Sequence, residues 1–318
     1  GANEAPPAIV SIFFGGPLSE ILDNIVEGKS SSKSGPSGKI QLGVTSLPSL
    51  PMDVSDRNRT SPFAFTGNKF EFRMVGSSQS IATPNTYLNI AVAQVLSEFA
   101  DKLEKAPDKI SQIQALVKDS YSKHRRVVFN GNGYSEEWVR EAERRGLPNV
   151  RATVDALPVL VRDEIITLFE THKVLTKEEM ESRYHIYLER YSKQVNIEAG
   201  VMVDMAKRMI FPAVSSFAAS LARDAASLAA VGAVSAPQEK RTKRIAELAG
   251  ELYEETEKLE RVLVDAQEIE DPFTQAKTYR EKVVPQMAAL RSRADSLEKL
   301  VAKKAWPFPT YEDLLFDL

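Results

Sequence analysis

Lys69, Glu71 and Arg73 stand two residues apart in "FTGNKFEFRMVG", residues 65–76, and Phe70, Phe72 and Met74 alternate with them. Side chains on a β-strand have a period of two. A strand here therefore carries plus, minus and plus on one face and apolar groups on the other. Just upstream, "DRNRT" adds Arg57 and Arg59. The chemistry such a set could do is phosphoryl transfer. A carboxylate holds a divalent metal, and cations offset the charge on the transferring phosphoryl group. Arginine suits this because its fork meets two oxygens at once. On an exposed sheet the same pattern is only an ion-pair ladder. One carboxylate is also not a complete magnesium site, so further ligands must come from elsewhere.

Other elements must position that strand. "PAIVSIFF", residues 7–14, reads as a buried strand. "GGPLSEILDNIVEG" reads as a short helix with Pro17 near its start and Gly28 closing it. The low-complexity stretch 29–39 reads as a mobile loop, and 47–60 as short extended pieces and turns. A helix is expected from Pro84 to about Lys105, with Leu88, Val92, Val95, Leu96 and Phe99 on one face. "FNGNGYS", residues 129–135, lacks the lysine of a phosphate-binding loop, and Asn-Gly is a turn signal. Ser135 is the expected N-cap of the next helix, with Gly146 at its C-terminal end.

The remainder is expected to be helical. Thr176 and Glu179 form a capping box before a helix that buries Met180, Tyr184, Tyr187, Leu188 and Tyr191. Heptad spacing through Ile245, Leu248, Leu252, Leu259, Val262 and Ala266 predicts one long helix. A second keeps the rhythm through Phe273, Ala276, Val283, Met287, Leu290, Ala294, Leu297 and Val301, with Arg280 at the position between. Asp271-Pro272 marks the turn of this hairpin, and Pro285 is expected to kink or divide the second helix. The terminal "WPFPTYEDLLFDL" is so apolar that it is expected to dock on its own chain or on a neighbouring subunit. Each large apolar side chain gains roughly 1.5–3 kcal/mol on burial.

Composition narrows the classes. The chain has 318 residues, and its net charge of −3 provides no basic field for nucleic acid. With no cysteine, disulfides, thiolate metal sites and cysteine nucleophiles are excluded, which suits a reducing compartment. The three histidines, His124, His172 and His185, lack zinc-helix spacing. No apolar run reaches the roughly 20 residues of a membrane helix.

Four motifs carry a resemblance: "NEAPPAI", "DRNRTSPFAFTGNKFEFRMVGSSQSIATPNT", "FNGNGYSEEW" and "WPFPTYEDLLF". Together they resemble the type III glutamine synthetases, essentially end to end. The resemblance implies an α+β chain. Residues 1–130 are the C-terminal portion of the catalytic domain, with antiparallel strands plus helices. Residues 131–318 are a mainly α-helical region with a long helical hairpin. It implies ATP-dependent ligation of ammonia to glutamate through a γ-glutamyl phosphate, with ATP and Mg2+ or Mn2+ as cofactors. Glu71 matches a metal ligand, and Arg73 the arginine that contacts the transferring phosphoryl group. Arg59 matches a phosphate-binding arginine, and Lys69 stands where other types have an arginine touching ATP. Arg57 is grouped with these nucleotide contacts. Glu4 matches the glutamate on the flap that closes over substrate. The resemblance further implies a cytoplasmic homo-oligomer of two stacked hexameric rings, a dodecamer, with no nucleic-acid or membrane partner.

Ala64 departs from the pattern, because other types carry a second arginine there. In this family the other metal ligands, the ammonium-site acid and a substrate-binding arginine lie upstream of the matched region. The chain is therefore expected to be a portion that does not catalyse alone. Two other readings stay open: a ligase joining glutamate to an amine other than ammonia, and a non-catalytic helical assembly module.

Overall fold

A computed structural model describes residues 4, 9–29, 39–40, 50–51, 60–76, 79–233 and 236–316. These include two short sheets and a majority of helix, an α+β chain. They divide into two compact units, one made of 5–156 with 162–177 and the other of 1–4, 157–161 and 178–318. Among the described residues no helix is long and apolar enough to cross a membrane.

The first unit opens with β1 (Ile12–Phe13) and α1 (Gly15–Glu27). Gly28 ends α1 at φ +70°, the left-handed conformation that costs a glycine least. β2 (Lys39–Ile40) pairs antiparallel with β3 (Leu50–Pro51). The loop expected at 29–39 lies mostly outside the described residues. β4 (Phe63–Phe65) and β5 (Phe70–Phe72) follow. The order in the main sheet is β1-β4-β5.

β4 and β5 are antiparallel, as expected, but β1 joins β4 in parallel, so the sheet is mixed. The connection from β1 to β4 contains α1 and further chain, long enough for the crossover that parallel pairing requires.

α2 (Ala82–Glu104) and α3 (Lys109–His124) come next. α2 does not bury the face read from the sequence. Val92, Val95 and Leu96 are exposed, and Ile90 is the buried residue. Apolar residues occur nearly all round this helix, so their spacing selects no side. The contacts do: Tyr87 meets the Phe169 ring edge-on at 5.7 Å, and Gln94 pairs with His172 at 2.8 Å. α4 (Glu136–Arg144) starts at Ser135, whose Oγ accepts from Trp138 N at 3.2 Å. α5 (Thr153–Ala156) and α6 (Asp163–Thr171) complete this unit.

The start of α1 is capped from a distance. Phe14 N and Gly15 N both donate to Asn130 Oδ1 at 3.1 Å, and Asn130 Nδ2 donates to Ser19 Oγ at 2.9 Å. Two otherwise unpaired helix donors are thus satisfied by a residue of "FNGNGYS". Asn130→Ala removes the acceptor of both bonds. The expected loss is about 1–2 kcal/mol in the stability of this unit, read by denaturant unfolding with amide exchange localised to α1.

On α4, which follows this loop, Glu141 receives Arg144 at 2.7 Å and Arg145 at 2.5 Å. First Arg144 and then Arg145 lower its carboxyl to about 2, from an ordinary value of 4.5. A carboxylate whose folded pKa is depressed favours the folded state above its unfolded pKa. That contribution disappears as pH falls through the folded value. This part of the stability should therefore decline from about pH 4.5 to about pH 2. Glu141→Gln should flatten the pH dependence of unfolding in that window.

The second unit is helical: α7 (Lys177–Met205), α8 (Phe211–Ala230), α9 (Ala236–Gln267), α10 (Pro272–Thr278), α11 (Val284–Glu298) and α12 (Tyr311–Phe316). Met180, Leu188 and Tyr191 on α7 are buried, as the spacing predicts, whereas Tyr184 and Tyr187 are only half-buried. Ile245, Leu248, Leu252, Leu259 and Ala266 form the buried seam of α9, which packs against α8 and α11. Asp271 accepts from Thr274 N at 2.8 Å and starts α10 after the hairpin turn.

Pro285 divides the second helix, through a π-helical turn at Tyr279–Val283. The ring of a proline clashes with the carbonyl four residues back, and the wide turn relieves this. The turn also shifts the seam. Tyr279, not Arg280, is the buried residue between Ala276 and Val283, and its hydroxyl donates to Asn196 Oδ1 at 3.0 Å. A second π-helical turn, Ala206–Ile210, joins α7 to α8.

The tail meets its expectation only in part. Trp306 is buried, but Leu314, Leu315 and Phe316 are 71%, 74% and 76% exposed. Three consecutive residues on a six-residue helix point in different directions, so one contact cannot cover them all.

Candidate active site

The charged residues lie on a hairpin. β4 and β5 are joined through Thr66–Lys69, where Thr66 N donates to Lys69 O at 2.8 Å. Gly67 takes φ +95°, open to glycine and strained for other residues. The register pairs Phe63 with Phe72, Ala64 with Glu71 and Phe65 with Phe70. Arg73 N extends the ladder by donating to Pro62 O at 2.8 Å. On the other face Phe70 contacts Phe14, Phe63 and Phe65 at centroid distances of 5.3–6.0 Å. That cluster fixes which way the strand faces.

The alternation therefore does what its period predicts, and Lys69, Glu71 and Arg73 converge. Lys69 Nζ lies 3.2 Å from Glu71 Oε1. Arg73 donates to Glu71 Oε2 through Nη2 at 3.0 Å and Nε at 3.3 Å. The side chain of Arg73 is 14% exposed, that of Glu71 38% and that of Lys69 65%. The triad thus runs from a sheltered arginine to a solvated lysine. Arg73 first, and Lys69 second, hold the Glu71 carboxyl below the usual carboxylate range. It is an ionised, half-accessible carboxylate at neutral pH. Ala64, directly across the ladder, is fully buried. Its methyl group places no second charge beside the carboxylate.

The other candidates are placed differently. Glu4 is half-buried and groups with the helical unit. Arg57 and Arg59 lie outside the described residues. Among the described residues no three His, Asp or Glu side chains gather as a metal site. Glu71 suits a hard divalent ion as one oxygen ligand, and completing the coordination requires groups beyond this set.

One contributor was hidden from the sequence. "FNGNGYS" is a turn, and it also latches the entry to β4. Gly133 N donates to Thr60 O at 2.7 Å, and a Cβ on Gly133 would stand 2.7 Å from that oxygen. Only glycine permits this approach. The second glycine of an Asn-Gly-Asn-Gly run hints at such closeness, but nothing in its spacing names the partner.

Comparison with known proteins agrees with this architecture. Residues 112–229 match the family model for the glutamine synthetase C-terminal domain. The similar curated proteins are glutamine synthetases as well. The chain is 37% identical to a type-3 glutamine synthetase of Dictyostelium discoideum, over 99% of this chain and 44% of that protein. It is 35% identical to glutamine synthetases of Butyrivibrio fibrisolvens and Bacteroides fragilis, over 100% and 99% of this chain and 46% and 45% of theirs. The chain therefore spans less than half the length of these relatives.

Proposed function

We propose that these residues serve a type III glutamine synthetase, which ligates ammonia to L-glutamate at the expense of ATP through a γ-glutamyl phosphate. The observation that carries this reading is the convergence of Lys69 and Arg73 on an ionised Glu71, in a chain related end to end to enzymes of that name. Glu71 would hold Mg2+ or Mn2+. Such an ion, when bound, would neutralise charge on the nucleotide phosphates. Arg73, sheltered and oriented by two hydrogen bonds to Glu71, contacts the transferring phosphoryl group. Lys69, exposed and flexible, serves nucleotide phosphate as a point charge. Arg57 and Arg59 add phosphate contacts, and Glu4 belongs to the flap over bound glutamate.

On this reading 1–130 is the catalytic portion and 131–318 a helical domain, although 131–156 pack with the sheet-bearing unit. The exposed tail residues Leu314, Leu315 and Phe316 fit an assembly contact in a cytoplasmic homo-oligomer of stacked hexameric rings. The test is phosphate release dependent on ATP, glutamate and ammonium. A chain of the relatives' length that contains these residues should turn over, and residues 1–318 alone should not. Robust turnover by residues 1–318, or preference for another amine, would overturn this assignment.

A further inference from the structure

An open cavity of about 420 Å3 lies in the sheet-bearing unit, between α1, the end of α3 and the "FNGNGYS" loop. It shares no lining residue with the Lys69–Glu71–Arg73 face. Three guanidinium groups, those of Arg125, Arg126 and Arg145, line it against one carboxylate, Asp23. Asp23 is already committed, since Arg125 Nη2 binds it at 3.0 Å and the Tyr121 hydroxyl donates to it at 3.2 Å.

The cations divide by role. Arg145 is a fixed wall. Its Nη1 donates to the carbonyls of Arg126 at 3.2 Å and Val128 at 2.9 Å, and its Nε to Glu141. Arg126 is exposed, and its side chain has no hydrogen-bond or ion-pair partner among the described residues. Arg125 keeps N–H groups beyond the one on Asp23. Ser19 Oγ accepts from Asn130 Nδ2, so its own proton remains to be donated. The cavity thus presents unspent donors and an excess of positive charge, in a volume suited to a small metabolite. Such a donor set favours a ligand with several acceptor oxygens and more than one negative charge. Guanidinium forks match phosphoryl oxygens two at a time.

We propose that this cavity binds a phosphate-bearing small molecule, with Arg125, Arg126 and the Ser19 hydroxyl contacting the phosphoryl group. The proposal does not depend on the catalytic reading of β5. It is tested by calorimetric titration of the 318-residue chain with inorganic phosphate and with ribose 5-phosphate, chloride holding ionic strength constant. Saturable binding is expected. Arg126→Gln should weaken it about tenfold or more, the loss of a charge-assisted contact. Because the Arg126 side chain has no partner among the described residues, the melting temperature of the free variant should stay unchanged, and Arg126→Lys should restore part of the affinity. Arg73→Gln should leave this binding within about twofold. Tighter binding of ribose 5-phosphate would mark the occupant as an organic phosphate, and the reverse order as the free ion. Absence of saturable binding, or binding that Arg73→Gln abolishes and Arg126→Gln spares, would overturn the proposal.

Discussion

Glu71→Gln, in a chain of the relatives' length, is expected to lower kcat/KM for glutamine formation by a factor on the order of a hundred or more, with assembly and fold retained. The magnitude follows from what the carboxylate does. Altering groups that merely support a metal ligand costs about 10–100-fold, and Glu71 is proposed to be a ligand itself. Glutamine keeps the shape and one carbonyl oxygen but loses the charge. It also leaves Lys69 and Arg73 without their shared anion. Both cations then repel a divalent ion that Glu71 had offset. The fold should survive because the triad lies on a hairpin edge, held by backbone pairing and the phenylalanine cluster rather than by these charges. Two measurements are needed together: steady-state kinetics across a Mn2+ titration, and sedimentation to confirm particle size. Raised metal demand with an intact particle supports the ligand role. Unchanged kinetics would reduce the strand to an ion-pair ladder.

The largest structural effect is expected at Trp138. It is fully buried with Ile9, Ala142 and Leu147. Phe129 stacks on its ring at 4.1 Å, and the Arg145 guanidinium lies 5.4 Å from its centroid. Trp138→Ala should cost about 3–5 kcal/mol, from lost transfer energy and the cavity left behind. That is a large share of the roughly 5–15 kcal/mol by which a domain is stable. The consequence travels along the chain. Phe129 precedes Asn130, which caps α1, and Gly133, which latches Thr60 at the entry to the charged hairpin. Amide exchange in α1, α4 and β4 should therefore accelerate together, while α9 and α11 in the other unit keep their protection. Trp138→Phe, which preserves the stacked ring, should recover most of the loss. Uniform acceleration across both units, or none in α1, would show that this route is wrong.

What could be read from the sequence follows the physics of each signal. Period two placed Lys69, Glu71 and Arg73 on one face because strand geometry fixes it, and the structure brings their charges together. Capping chemistry located α4 to the residue, since Ser135, Gly146 and the flanking charges act locally. Where the deciding partner is distant, the sequence is silent. Nothing in "FNGNGYS" says that Asn130 caps a helix more than a hundred residues earlier. Spacing on α2 could not choose a face among apolar residues on all sides, because burial there depends on Phe169 and His172. The parallel pairing of β1 is a property of topology, and composition carries no record of it.

The widened turn at Tyr279–Val283 has a bearing on how this helix tolerates change in length. Each residue added to or taken from an α-helix swings everything after it by about 100° about the axis. Met287, Leu290 and Leu297 face α9 only because one surplus residue is absorbed just before Pro285. Excising Lys282 would close the bulge into ordinary helix and leave that stripe facing α9. A one-residue deletion at this point should thus be far less disruptive than the same deletion after Pro285, where nothing takes up the 100° turn.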